Sequence, residues 1–113
     1  MTNTNLKQAF QNFRDTYQPD RIYEARHFAQ NEKFEKEAIE LLDAYGIDPD
    51  EYEIKELTYK WLILKGIKNG RKVLITVTMK YRGMGYYTYY FQIRFKVDGK
   101  SMKNEEFAKW YNN

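Results

Sequence analysis

Residues 62–77 read Leu62-Ile63-Leu64-Lys65-Gly66-Ile67-Lys68-Asn69-Gly70-Arg71-Lys72-Val73-Leu74-Ile75-Thr76-Val77. Two apolar, β-branched runs flank Asn69-Gly70. A two-residue type I′ hairpin needs positive φ at both central positions, and Asn and Gly tolerate it. The turn predicts Lys68 opposite Arg71, Leu64 opposite Ile75 and Leu62 opposite Val77. Outward from this hairpin the strand pattern runs back to Tyr52 and forward to Tyr81. A third run, Tyr86 to Val97, follows Gly83-Met84-Gly85.

The second turn decides which side chains share a face. A two-residue turn would set Thr88, Tyr90, Gln92 and Arg94 beside Ile75, Val77 and Met79. A three-residue turn with a glycine bulge sets Tyr87, Tyr89, Phe91, Ile93 and Phe95 there instead. A one-residue slip exchanges the faces of a whole strand, so the apolar pattern selects the three-residue turn. One face then holds Leu62, Leu64, Val73, Ile75, Val77, Met79, Tyr81, Tyr87, Tyr89, Phe91, Ile93, Phe95 and Val97, and is expected to face inward. The other holds Tyr59, Trp61, Ile63, Lys65, Ile67, Lys72, Leu74, Thr76, Thr78, Lys80, Tyr86, Thr88, Tyr90, Gln92, Arg94 and Lys96, with no acid. Its expected rows across the strands are Trp61–Thr78–Tyr90, Lys65–Leu74–Arg94 and Ile67–Lys72–Lys96.

Upstream, the spacing changes to that of helices. Leu6, Phe10, Phe13 and Tyr17 form one stripe, which Asn3 or Thr4 can cap. Gln18-Pro19 ends that helix, and Pro19 suits the first position of the next. Ile22, Ala25 and Ala29 lie on a stripe out of phase with Phe34, Ala38, Leu41 and Tyr45, which predicts a kink or break near Gln30-Asn31. Gly46 followed by Ile47 is a C-terminal stop, and Asp48-Pro49-Asp50 is a turn. A short helix with Phe107, Trp110 and Tyr111 on its apolar side is expected over 104–111. The expectation is a single α+β domain over 1–113. Its N-terminal helices pack on one face of a three-stranded antiparallel meander sheet, with a short C-terminal helix. The acidic helical part is 1–47 and the basic sheet 52–97.

Charge separates the two halves of the chain. Met1–Glu56 has 7 Lys and Arg against 13 Asp and Glu, while Leu57–Asn113 has 12 against 3. Between Leu57 and Val97 stand nine basic residues and no acidic one. Ordinary solvated surfaces mix both signs, so a one-sign stretch of this length points to an anionic partner. Aromatic rings beside cations on a wet sheet face are the components of a single-stranded nucleic-acid platform. The bland alternative is a solvated face of strand-forming Thr and Tyr, or one plugged by an N-terminal helix over Trp61 and Ile63. The candidate binding residues are Tyr59, Trp61, Lys65, Lys72, Lys80, Arg82, Tyr86, Tyr90, Arg94 and Lys96.

Two functional readings follow. The first is a non-enzymatic module that binds nucleic acid or another anionic partner, including an acidic protein surface. The second is a small protein-binding inhibitor or adaptor, of the kind mobile elements use against host nucleic-acid machinery, motivated by small size, two oppositely charged ends and abundant tyrosine. Catalytic and metal motifs are weaker. His27 is the only histidine and has no serine or cysteine partner in evident register. Pro49-Asp50 with Glu53-Ile54-Lys55 mimics part of a metal-nuclease signature, but its carboxylates lie within one turn. Asp48, Asp50, Glu51, Glu53 and Glu56 lack the spacing and glycine of a calcium loop. Gly83-Met84-Gly85 lacks the strand-to-helix setting of a phosphate loop. No enzyme, cofactor or metal is expected.

The absence of cysteine fits a reducing compartment. No apolar run nears the roughly 20 residues of a membrane helix, and the start lacks a signal pattern, so the expectation is a cytoplasmic protein with no membrane partner. Oligomeric state is open: the Tyr52–Ile67 edge offers pairing to a second copy, which Lys55, Lys60 and Lys65 discourage.

Overall fold

The structure is a computed structural model in which residues 4–16, 22–58, 60–82 and 88–112 are described. The expectations for Tyr17 to Asp20, Tyr59, the Gly83-Met84-Gly85 turn, Tyr86 and Tyr87 lie outside those residues. So do the side chains of 22–31, Tyr81, Arg82, Thr88 and Tyr89. The elements are α1 (Thr4–Thr16), α2 (Ile22–Ala44), a 3-10 turn (Pro49–Glu51), β1 (Glu53–Leu57), β2 (Trp61–Lys68), β3 (Arg71–Arg82), β4 (Thr88–Val97), β5 (Lys100–Met102) and α3 (Asn104–Tyr111). All strands pair antiparallel in the order β1-β2-β3-β4-β5. The class is α+β and the sheet is a meander, but with five strands where the sequence predicts three.

The central hairpin forms as its turn dictates. Asn69 and Gly70 have φ of 52° and 75°, and Lys68↔Arg71, Leu64↔Ile75 and Leu62↔Val77 pair as expected. Of the two extra strands, one comes from a break in the Tyr52–Ile67 run. The Thr58 hydroxyl accepts from the Lys60 and Trp61 N–H groups (3.3 and 3.1 Å), and the Thr58 N–H bonds the Trp61 carbonyl at 2.9 Å. This local turn folds β1 back onto β2. The other comes from Asp98 and Gly99, whose φ of 54° and 82° make a second two-residue hairpin that brings Lys100 opposite Val97.

The β3–β4 register differs from expectation by two residues. Thr78 faces Gln92, Leu74 faces Lys96, and Tyr90 faces Lys80; the expected partners were Tyr90 for Thr78, Arg94 for Leu74 and Lys96 for Lys72. Five residues separate paired Arg82 and Thr88, two more than the expected turn allows. An even shift keeps every side chain on its face, so the expected faces stand and only the rows change.

The helices cover one face. Leu62, Leu64, Val73, Ile75, Val77, Met79, Ile93, Phe95 and Val97 are buried on it, against Leu6 and Phe10 of α1, Phe34, Ala38 and Leu42 of α2, and Phe107 and Tyr111 of α3. Phe10 meets Phe34 edge-on at 5.9 Å, Phe34 lies against Phe91 at 6.5 Å, and Phe95 stacks on Phe107 with centroids 3.7 Å apart. The Arg14–Glu35 ion pair ties α1 to α2. Helix α2 runs unbroken for 23 residues, with no break at Gln30-Asn31. It contains neither Pro nor Gly, so nothing in its backbone interrupts the hydrogen-bond ladder despite the change of stripe. It ends as its sequence dictates, with Gly46 at φ 73°, Gly46 N–H bonded to the Asp43 carbonyl, Ile47 N–H bonded to the Leu42 carbonyl, and Ile47 buried.

One glycine is fixed by a neighbour's ring. A Cβ on Gly66 would lie 2.4 Å from Tyr52 Cδ1. The Tyr52 ring fills the space that a side chain on the covered face would take, and its hydroxyl bonds that of Tyr111 at 2.7 Å. Burial, followed by that bond, pushes the Tyr52 phenol well above its ordinary pKa; burial also raises that of Tyr111.

Candidate functional site

The even-odd alternation of strands places a second set of side chains opposite the core. Trp61, Lys65, Lys72, Lys80, Tyr90, Arg94 and Lys96 all occupy this second face, and none of them is fully buried. The register position of Arg82 is on the same face. Of the predicted site residues, Tyr59 and Tyr86 lie outside the described residues. No described helix packs over this face, so the competing arrangement with a helix over Trp61 and Ile63 is not the one adopted among the described residues.

Its rows run from a basic end to an aromatic end. Lys65, Leu74 and Lys96 are direct neighbours across β2, β3 and β4, and Lys72 stands beside Ile67 one step away. Next come Ile63–Thr76–Arg94, then Trp61–Thr78–Gln92, then Lys80–Tyr90. At about 3.4 Å per residue, the Leu74 row and the Lys80 row lie roughly 20 Å apart.

The basic end forms a cleft of about 510 Å3, lined by Lys65, Lys72, Lys96, Ile67, Leu74 and Glu53, with Gly66, Val73 and Gly99 completing it. Three ammonium groups and one carboxylate surround apolar side chains. Ile67 is 72% exposed and is the exposed large hydrophobic residue among those described. An occupant of the cleft would remove its apolar surface from water. The Lys65–Glu53 pair, at 3.7 Å and with both side chains at least half exposed, contributes little and leaves Lys65 available to a stronger anion.

The sequence predicts a face without acid, and the structure corrects this. Once β1 folds back on β2, Glu53 lies opposite Lys65 and Glu56 opposite Ile63. Glu56 Oε1 accepts from the Trp61 indole N–H at 2.6 Å, and Lys60 Nζ sits 5.6 Å from the Trp61 ring centroid. Trp61 is therefore a half-buried ring held in place, not a freely swinging one. The apolar floor of Leu74 and Ile67 was placed on this face by strand alternation, yet nothing in the residue types marks it as part of a site. A base on either side of Leu74 is already implied by the expected Lys65–Leu74–Arg94 row; the observed register puts Lys96 in the place of Arg94.

The arrangement is suited to hold an extended anion with apolar or aromatic parts. Among the described residues no three or more His, Cys, Asp or Glu side chains converge on a metal position, and no helix is long and apolar enough to cross a membrane. No family model, curated protein or solved structure matches the chain.

Proposed function

We propose that this chain is a non-enzymatic binding module whose uncovered sheet face holds a polyanion, with nucleic acid as the ligand class. The observation that carries the reading is the Lys65–Leu74–Lys96 row with Lys72 and Ile67 beside it, on the face opposite the helices. Phosphates meet ammonium groups there, and bases meet Ile67 and Leu74 or, farther along, Trp61 and Tyr90. Stacking on such a ring is worth roughly 1–3 kcal/mol per base, and the counterions released by each phosphate contact make association salt-dependent. A cysteine-free chain suits action in the cytoplasm.

Anisotropy of labelled single- and double-stranded oligonucleotides across a salt series tests this. With four or five of Lys65, Lys72, Lys80, Arg94 and Lys96 on phosphates, log K falls against log salt with a slope of roughly −3 to −4.5. Weak, slope-free binding that Lys72→Glu with Arg94→Glu leaves unaltered would defeat the proposal.

The second reading is a protein-binding inhibitor or adaptor acting on nucleic-acid machinery. An exposed apolar Ile67 ringed by charge favours it, since interface anchors are apolar centres within polar rims. A nuclease-insensitive, stoichiometric protein partner recovered by pull-down supports this second reading over the first.

A further inference from the structure

The sheet has two edges, and they are built differently. Strand β1 is five residues long, bulges between Ile54 and Glu56, and carries Glu53, Lys55 and Glu56. Shortness, bulging and charge are the devices that keep a strand edge from recruiting another strand. Along Thr88–Ile93 the opposite edge is uncharged and, among the described residues, pairs without a bulge. Strand β5 pairs with Phe95–Val97, so among the described residues the upstream part of β4 is paired on one side, to β3. The bond from the Asp98 N–H to the Lys72 carbonyl (2.8 Å) fixes the alternation: even-numbered residues of β4 bond to β3 and odd-numbered ones point outward. Tyr89, Phe91 and the Ile93 N–H thus present outward-facing backbone groups, while the Ile93 carbonyl accepts from Asn104 Nδ2 at 3.0 Å. Thr88–Ile93 carries no charged residue. A cleft of about 370 Å3 borders this edge between Leu41 and Tyr45 of α2 and Asn104 of α3. Gln92 Oε1, on the same strand, is buried with no hydrogen-bond partner, an arrangement that native structures rarely leave unanswered.

We infer that this edge pairs antiparallel with the same edge of a second copy of the chain, giving a two-fold dimer through Thr88–Ile93. Charge and symmetry select that occupant. An uncharged edge takes a strand equally free of charge, and pairing about a two-fold axis closes the assembly and leaves no further copy to recruit. With the axis at Phe91, Arg94 stands across from Thr88 of the second copy and Gln92 across from Tyr90. With the axis at Tyr90, Gln92 stands across from Thr88. No like charges oppose each other in either register, and in both the register position across from Gln92 holds a hydroxyl-bearing residue. Leu41, Tyr45 and Phe91, each only partly buried in one chain, gain cover from their symmetry mates. An axis perpendicular to the sheet keeps both basic faces on one side. The inference does not depend on what that face binds.

The test is light scattering of the full chain over a concentration series, combined with amide hydrogen exchange. The expected mass is twice the 13.8 kDa of one chain. The Tyr89 and Phe91 amides are expected to exchange roughly 100-fold or more slowly than those of a free edge. The double variant Thr88→Lys/Gln92→Lys sets lysine against lysine or against Arg94 in either register. It is expected to be monomeric, with Tyr89 and Phe91 exchanging fast while the Val77 amide stays protected. A wild-type monomer at every concentration with fast-exchanging Tyr89 and Phe91 amides overturns the inference, as does a dimer that survives the double variant. Should the variant fail to fold, the exchange of those two amides in the wild-type chain decides alone.

Discussion

The two faces of this sheet share the same strands and differ in what covers them. On one, Leu62, Leu64, Ile75, Val77 and Phe95 are buried beneath three helices. On the other, Lys65, Lys72, Arg94 and Lys96 are exposed around half-buried Leu74 and Thr76. A period of two in the sequence writes both faces at once, because each apolar residue turned inward fixes what its neighbours turn outward. Stability is therefore concentrated on one side, and the other is free to carry binding chemistry.

The largest expected effect lies on the covered face. Phe95→Ala removes a ring stacked on Phe107 and edge-on to Tyr45, and should cost about 3–5 kcal/mol in urea unfolding. On the open face, Ile67→Ala should change stability by no more than about 0.5 kcal/mol. Comparable losses from the two would erase the distinction between the faces. Next in size is Gly66→Ala, whose Cβ meets the Tyr52 ring at 2.4 Å. The ring is buried and tied to Tyr111, so it cannot swing aside cheaply, and thermal melts should report about 1–3 kcal/mol of destabilisation.

A smaller effect follows from the Tyr52–Tyr111 hydroxyl pair. Both phenols are raised, by burial first, so the folded state favours their neutral forms. That contribution is fully present below the ordinary phenol pKa of about 10 and is lost as pH rises above it. Tyr52→Phe should cost about 1 kcal/mol at neutral pH by removing the bond. It should also weaken the alkaline loss of stability. An unchanged alkaline unfolding curve would show that this pair does not govern it.

Much of this fold is legible in the sequence where one residue type answers one geometric need. Asn69-Gly70 fixes a hairpin and its register, Gly46-Ile47 ends α2, and Phe107 and Tyr111 turn α3 toward Phe95 and Tyr52. The β3–β4 pairing is only half legible. The apolar period settles its parity, but a shift of two residues preserves that period and leaves the rows undetermined. Asp98-Gly99 carries the same kind of signal as Asn69-Gly70, yet the strand after it, Lys100–Met102, is three residues long and has little apolar pattern of its own. The break at Thr58 depends on a side-chain hydroxyl capping two N–H groups, which the strand-forming run around it conceals. The break at Thr58 and the shifted β3–β4 register together hid how the face is composed. Glu53 and Glu56 enter it only once β1 folds back, and Lys96 joins Lys65 around Leu74 only in the observed register.

Charge reversal matched between the faces tests the central claim most directly. Lys72→Glu/Lys96→Glu alters the open face; Arg71→Glu/Lys100→Glu makes the same change in net charge on positions that share the covered side. Both variants should stay within about 0.5 kcal/mol of wild type. In oligonucleotide titrations over a salt series, the first should weaken binding and flatten the slope of log K against log salt by roughly 2, while the second leaves the slope as it was. Equal losses from both would mean that net charge alone attracts the ligand, and no loss from either would mean that the open face is not where it binds.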